Sequence, residues 1–90
     1  MPVDFNKDGE LLKALGHPIR LKMVTGLLQE TECNVNDIVA KLGLPQSTVS
    51  QHLGILRNKG IIAPRRDGVK MCYRVVNARA AKLIEILNKQ

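Results

Sequence analysis

Apolar residues in the first two thirds of the chain recur three and four positions apart, which is the pattern of amphipathic helices. This spacing predicts helices over residues 8–15, from Pro18 onward, from an N-cap at Asn36 onward, and from about residue 45 or 46 to Asn58. Pro18 suits the first turn of a helix, where its missing N–H needs no partner, and asparagine is a favoured N-cap. Four helices are therefore expected before residue 60.

After Gly60 the pattern changes to the alternation that is typical of strands. We expect one strand over Ile61–Arg66 and a second over Lys70–Val76, joined by a hairpin turn at Asp67-Gly68. In the second strand we expect the core-facing side to carry Met71, Tyr73 and Val75. The opposite side is expected to point outward with Lys70, Cys72 and Arg74. The hairpin should then present a cationic side or tip.

A last helix is expected to begin at an Asn77 cap. Its apolar stripe is large for a terminal helix and consists of Ala80, Leu83, Ile84 and Leu87. Since 90 residues are close to the size at which a lone core is marginally stable, a dimer contact would explain this stripe. The pattern predicts a single domain over residues 1–90, mainly α with a small β-hairpin, with about five helices plus a β-wing.

The charge of +6 is gathered in the second half of the chain. Residues 1–52 hold 5 Lys and Arg against 6 Asp and Glu, whereas residues 53–90 hold 9 against 2. Such asymmetry suggests a polyanionic partner, although a soluble basic domain without one would show the same charge.

The expected fourth helix carries an uncharged outer face. At 100° per residue, its apolar side contains Val49, Leu53 and Leu56, and the opposite side contains Ser47, Gln51, Gly54 and Asn58. Solubility alone normally places Glu and Lys on an exposed helix, whereas small neutral groups can approach base edges closely. A helix-turn-helix at Gly43 followed by the basic hairpin therefore has the shape of a winged helix-turn-helix that reads double-stranded DNA.

We predict DNA contacts for ten residues of the fourth helix and the hairpin. They are Gln46, Ser47, Thr48, Ser50, Gln51, His52, Arg57, Arg65, Arg66 and Lys70. The arginines would hold the phosphate backbone and the small polar residues would specify sequence. The cations of the wing could instead belong to an ordinary solvated hairpin edge. For the whole domain, the alternative is a protein-interaction module that does not bind DNA.

Three blocks of this chain resemble the ArsR/SmtB family of bacterial winged-helix repressors. Residues 12–21 (LKALGHPIRL) are similar to the family's opening block, residues 44–53 (LPQSTVSQHL) to its recognition helix, and the Arg65–Gly68 segment with Tyr73-Arg74 to its wing. The resemblance covers roughly residues 10–88. It implies a homodimer that binds an inverted-repeat operator, represses transcription, and dimerises through its first and last helices.

The resemblance also implies metal sites that this chain lacks. Many members of the family release DNA on binding a metal at two cysteines around a valine, and the matching residues here are Asn34, Val35 and Asn36. The second family site needs Asp, His and Glu on the last helix, but residues 77–90 contain no Asp or His. We therefore predict no metal at these residues and no cofactor. Three modes of regulation stay open: a repressor that needs no inducer, a thiol sensor, and a metal sensor that uses an unfamiliar site.

Cys33 and Cys72 are the two cysteines of the chain, and a sensor of thiol oxidants or sulfur species is an alternative mode of regulation. Cys33 is expected to be a buried small hydrophobe, and Cys72 is expected to face outward and to be the more reactive of the two. If their strands paired, opposite facing would prevent a disulfide without backbone movement.

The two histidines stand in separate contexts. His17 precedes Pro18 and is expected to start a helix, whereas His52 would either contact a phosphate or pack against the core. No arrangement of nucleophile and base is visible, so an enzyme is not expected. The chain has no apolar run of about 20 residues and no signal peptide at its start, so we expect a cytoplasmic protein without a membrane span.

Overall fold

The computed structural model of the chain describes residues 2–29 and 34–89, with the backbone alone for Asp67. Five helices and one antiparallel hairpin follow one another, which confirms the predicted fold class. The elements are α1 (Phe5–Leu15), α2 (Pro18–Leu28), α3 (Val35–Leu42), α4 (Gln46–Asn58), β1 (Ile62–Asp67), β2 (Lys70–Val75) and α5 (Ala78–Asn88). None of the helices in this described part has the length and hydrophobicity that a membrane crossing requires.

Polar side chains fix where the helices begin. Asn77 caps α5 as predicted, and the predicted cap at Asn36 is wrong because α3 begins two residues earlier, at an Asn34 cap. The Asn34 side chain accepts from the Asp37 N–H at 2.8 Å, and the Asp37 carboxylate accepts from the Asn34 N–H at 3.4 Å. This reciprocal pair needs an acidic residue three positions after the cap, and Asn36 has Val39 there. Likewise, α1 starts at Phe5 rather than at residue 8, because Asp4 caps it.

One apolar core joins all five helices to the base of the hairpin. Its fully buried members include Met23, Val24, Ile38, Val49, Leu56, Ile61, Ile62, Ala80 and Ile84. Two residues of the predicted α5 stripe, Ala80 and Ile84, are therefore covered within the protomer. Leu83 is half-buried and Leu87 is exposed, so only the C-terminal part of the stripe is left for another partner.

The hairpin turn lies one residue later than predicted. The strand register pairs Asp67 with Lys70 and Arg66 with Met71, which leaves Gly68 and Val69 as the two turn residues. Gly68 adopts a φ of 65°, in the left-handed region that glycine enters without strain.

The predicted facing of β2 is also wrong at Cys72. This residue is 1% exposed, whereas Met71 is 43% exposed. The strand β2 contacts both α2 and α5, yet Lys70 and Arg74 on the same face as Cys72 are exposed. Burial on this face is therefore confined to Cys72, which alternation along the strand does not predict.

Two ion pairs connect distant parts of the sequence. Arg79 of α5 donates to the nearly buried Asp8 carboxylate of α1 at 2.5 Å, and Lys59 after α4 pairs with Glu10 of α1 at 2.6 Å. The hydrogen bond from Arg79 holds the pKa of Asp8 below its ordinary value, although burial opposes it. The first pair thus ties the first helix to the last.

We expect Asp8→Asn to lower the Tm by several degrees at neutral pH, because Arg79 loses its charged partner. A carboxylate whose pKa is lowered by folding contributes stability above its ordinary value of 3.8, and this contribution is lost as the pH falls through the folded value. The gap between the two melting curves should therefore close in acid. Glu85→Gln is the matched control, since Glu85 meets Lys89 on an exposed helix face at 3.7 Å. An equal loss in both variants would contradict this role.

Candidate nucleic-acid interface

The turn between α3 and α4 sets the geometry of the candidate interface. Gly43 ends α3 with a φ of 67°, and its N–H donates to the Val39 carbonyl at 2.8 Å. Because side chains other than glycine rarely adopt this conformation, Gly43 allows α3 to stop and the chain to reverse. Ile38 of α3 and Val49 of α4 are fully buried where the two helices pack. The arrangement is a helix-turn-helix with α4 as its second helix.

The helix α4 turns its apolar side inward and its uncharged side outward, as the sequence predicts. Val49, Leu53 and Leu56 are buried in the core. The outward side chains of the first turns are Gln46, Ser47, Ser50 and Gln51, with Thr48 half-buried beside them. Arg57 is exposed in the last turn of α4. The exposed surface at the start of α4 therefore offers hydroxyl and amide groups and no charge.

The wing places its cations at and near the tip of the hairpin. Arg65 and Arg66 are exposed, and so is Lys70 across the turn. In the register of the hairpin Arg65 stands opposite Cys72 and Arg66 opposite Met71, so the two arginines leave the ribbon on opposite faces. Neither arginine pairs with an acidic side chain among those described. A groove that receives the ribbon end-on would meet both arginines.

His52, for which we predict a DNA contact from the sequence, lies apart from the outward face of α4. Its ring is half-buried, with the ring centroid 4.7 Å from that of His17, and its Nδ1 lies 3.2 Å from Nη1 of Arg20. Burial lowers the pKa of His52, and the neighbouring His17 and Arg20 lower it further. Of the two interpretations left open by the sequence, this geometry favours packing.

His17 starts α2 as predicted. Its Nδ1 accepts from the Ile19 N–H at 3.1 Å, so the imidazole serves as the side-chain cap of α2. Arg20 is the residue that sequence reasoning missed, because its contacts cross to α1 and α4 and leave no periodic signal. The helical pattern places Arg20 off the apolar stripe of α2, which is typical of a solvated residue.

The cysteines and the metal question are separate from this surface. Cys72 is buried and disulfide-bonded, so the expectation of an outward-facing reactive thiol is wrong, and so is the expectation that its facing prevents a disulfide. Cys33 lies outside the described residues. Asn34, at one of the positions where the resemblance implies a metal-binding cysteine, serves instead as the cap of α3. Within residues 2–29 and 34–89, no three His, Cys, Asp or Glu side chains come together in a way that could hold a metal ion.

Comparison with known proteins identifies the family. Residues 17–63 match the family model described as bacterial regulatory protein, arsR family. This range contains α2, the helix-turn-helix and the start of the wing.

Relatives extend the match over nearly the whole chain. The transcriptional repressor PagR of Bacillus anthracis is 43% identical over 81 residues, which are 90% of this chain and 81% of PagR. The biofilm growth-associated repressor of Xylella fastidiosa is 42% identical over 82 residues, covering 91% of this chain and 71% of that protein. Both relatives are named as repressors.

Solved structures agree with the sequence matches. The crystal structure of PagR superposes with a TM-score of 0.85 at 42% identity, covering 93% of this chain and 95% of PagR. HlyU from Vibrio cholerae superposes with a TM-score of 0.85 at 32% identity, covering 97% and 94% of the two chains. With its helix-turn-helix and wing, the chain belongs to the arsR family of bacterial regulatory proteins and is a DNA-binding transcriptional regulator rather than an enzyme.

Proposed function

We propose that the protein is a homodimeric repressor that reads an inverted-repeat operator with the start of α4 and holds the DNA backbone with the wing. The observation that carries this proposal is the uncharged, exposed face of α4 beside arginines that have no acidic partner among the described side chains. The face supplies groups that can form hydrogen bonds with base edges, and the wing supplies charge.

Gln51 is the central residue of the proposed readout. Its amide has both a donor and an acceptor, so it can pair in a bidentate way with adenine in the major groove. Ser47 lies one turn before it on the same face, and Ser50 precedes it. The residues Gln46, Thr48 and Arg57 flank this centre.

The start of α4 also fits a phosphate. Pro45 is the N-cap of α4 and has no side-chain acceptor, so no side chain caps the first turn. The N–H groups there and the positive end of the helix dipole favour an anion. Arg65, Arg66 and Lys70 would contact phosphates further along the duplex or enter the adjacent minor groove.

An apolar groove between α1 and α5 supports the homodimer. The groove encloses about 270 Å³, and its lining has no polar surface. Leu12 of α1 is 57% exposed at this groove, and Leu87 of α5 is 58% exposed. Exposed leucines that line one apolar groove are typical of a surface that a partner covers. A second copy of the chain would bury the first and last helices of both protomers.

We expect Gln51→Ala to weaken binding to the operator by about 10- to 100-fold while leaving binding to a scrambled duplex nearly unchanged, because base contacts are worth roughly 1–3 kcal/mol each. Fluorescence anisotropy with a duplex from the protein's own promoter and a scrambled duplex of equal length measures both affinities. Gln29→Ala removes the same amide from an exposed residue at the end of α2 and serves as the control. Equal losses on the two duplexes would contradict readout by Gln51.

We also propose that the redox state of the chain regulates its affinity for DNA, and the disulfide at Cys72 supports this proposal. Cys72 lies in β2, so a covalent bond there constrains the strand that carries the wing. Among the relatives, one structure is titled reduced HlyU from Vibrio cholerae. Reduction by a dithiol would convert the disulfide into two thiols as the dithiol is oxidised.

We expect operator affinity to differ between the oxidised and the reduced protein, and Cys72→Ser to abolish the difference. The chain contains one other cysteine, Cys33, so Cys33→Ser tests whether both residues are required. Anisotropy titrations with and without a dithiol reductant provide the comparison. The same affinity in both states of the unmodified protein would rule out regulation through these thiols.

A further inference from the structure

Arg20 lies where three helices meet. Its Nε donates to the Ala14 carbonyl in the last turn of α1 at 2.5 Å, while its Nη1 lies 3.2 Å from Nδ1 of His52 on α4. The residue itself belongs to the first turn of α2 and is half-buried. One side chain therefore links the recognition helix to both helices behind it.

The direction of the second contact is fixed by chemistry. A guanidinium has donors and no acceptor, and it stays protonated in proteins. Nδ1 of His52 must then be the acceptor, so the ring is neutral with its hydrogen on Nε2. The bond from Arg20 is available only in that state.

We propose that Arg20 and His52 are positioning residues that hold α4 at a fixed angle against α1 and α2, and that this hold exists only while His52 is neutral. The proposal rests on the proposed reading of bases by α4. His52 follows Gln51 directly, so a tilt of the helix at His52 would displace the amide that reads the base.

Protonation of His52 would place an imidazolium 3.2 Å from a guanidinium. Among the described groups, those whose charges act on His52 are His17 and Arg20, both from the start of α2. On the neighbouring α1, Glu10 is already paired with Lys59, so it does not neutralise this cluster. Burial is the main reason that the pKa of His52 is held below its ordinary value of 6.5, and the neighbouring His17 and Arg20 lower it further.

The sign of the pH effect separates positioning from a phosphate contact. A histidine that touched phosphate would gain from protonation, so acid would strengthen binding to every duplex. A histidine that positions α4 would lose its acceptor in acid, so the preference for the operator over scrambled DNA would fall. The measured quantity is therefore the ratio of the two affinities.

The test measures this ratio from about pH 8 to about pH 5, and because the pKa of His52 is lowered, the change is expected in the acid part of this range. We expect the ratio for the unmodified protein to fall by about tenfold or more in acid. His52→Gln keeps an acceptor that does not titrate, so its ratio should stay near the neutral value throughout. Arg20→Gln should have a low ratio at every pH, and thermal melts show whether each variant is folded.

His17→Asn is the matched control, because asparagine also caps a helix but removes the imidazole that lies beside His52. It should keep the fall of the ratio in acid. A pH-independent ratio for the unmodified protein, tighter binding to both duplexes in acid, or loss of the fall in His17→Asn but not in His52→Gln would overturn the proposal. Gln51→Ala measured alongside distinguishes the failures, since an unchanged ratio in that variant at neutral pH would reject the base readout itself.

Discussion

Leu87→Glu is expected to convert the proposed dimer into a monomer and to weaken operator binding by about 100-fold or more, because two protomers would hold the proposed inverted repeat at once. In the free protomer Leu87 is largely exposed, so a glutamate there costs little. In the dimer its carboxylate would be buried in a groove that offers no polar partner, which costs several kcal/mol. Sedimentation velocity gives the oligomeric state, and anisotropy gives the affinity.

The control for this variant is Val76→Glu, which introduces the same charge at an exposed apolar residue between β2 and α5, outside the groove lining. We expect Val76→Glu to remain dimeric. Leu12→Glu, on the opposite wall of the groove, should reproduce the Leu87→Glu result. Dimers in both groove variants would place the interface elsewhere on the protomer.

The double substitution Arg65→Ala with Arg66→Ala is expected to weaken binding to operator and scrambled DNA alike, by about 10- to 100-fold at low salt. In a dimer it removes up to four phosphate contacts. Each contact contributes about 0.9 to the slope of log affinity against log salt concentration, so the slope should become shallower by about 3 to 4. Titrations at several salt concentrations give the slope directly.

Lys82→Ala is the control for the wing, because it removes a cation from an exposed position on α5. Its slope should stay close to that of the unmodified protein. A double variant that lost affinity for the operator alone would show instead that the wing reads sequence. The two arginines leave the ribbon on opposite faces, so the single variants also show whether one face or both meet the DNA.

The helix-turn-helix could be predicted from the sequence because its signals are local. Val49, Leu53 and Leu56 repeat at the helical period, and Gly43 supplies the one conformation that ends α3. Because that stripe is buried, the helical period alone predicts that Ser47 and Gln51 are exposed on the opposite side. The cap at Asn77 is equally local, since it bonds to an N–H three residues away.

The features that could not be predicted depend on packing between distant segments. Cys72 is buried in a strand that contacts two helices distant in the sequence, and alternation along the strand carries no information about those contacts. The contacts of Arg20 reach six residues back and 32 residues forward in the chain. Both Asn34 and Asn36 are favourable N-cap residues. Asn34 caps α3 because Asp37 forms the reciprocal hydrogen bond with it, and the sequence pattern alone does not distinguish the two.

The most direct test of the central claim is the shift of backbone amide NMR signals when the protein is titrated with a duplex from its own promoter. We expect the largest shifts at Ser47, Ser50 and Gln51 and along the wing near Arg65 and Arg66, and small shifts along the α1–α5 groove. A scrambled duplex should shift the wing and the first turn of α4, where phosphate is bound, and leave the signal of Gln51 nearly unchanged. Shifts confined to the groove, or equal shifts of Gln51 with both duplexes, would contradict the account.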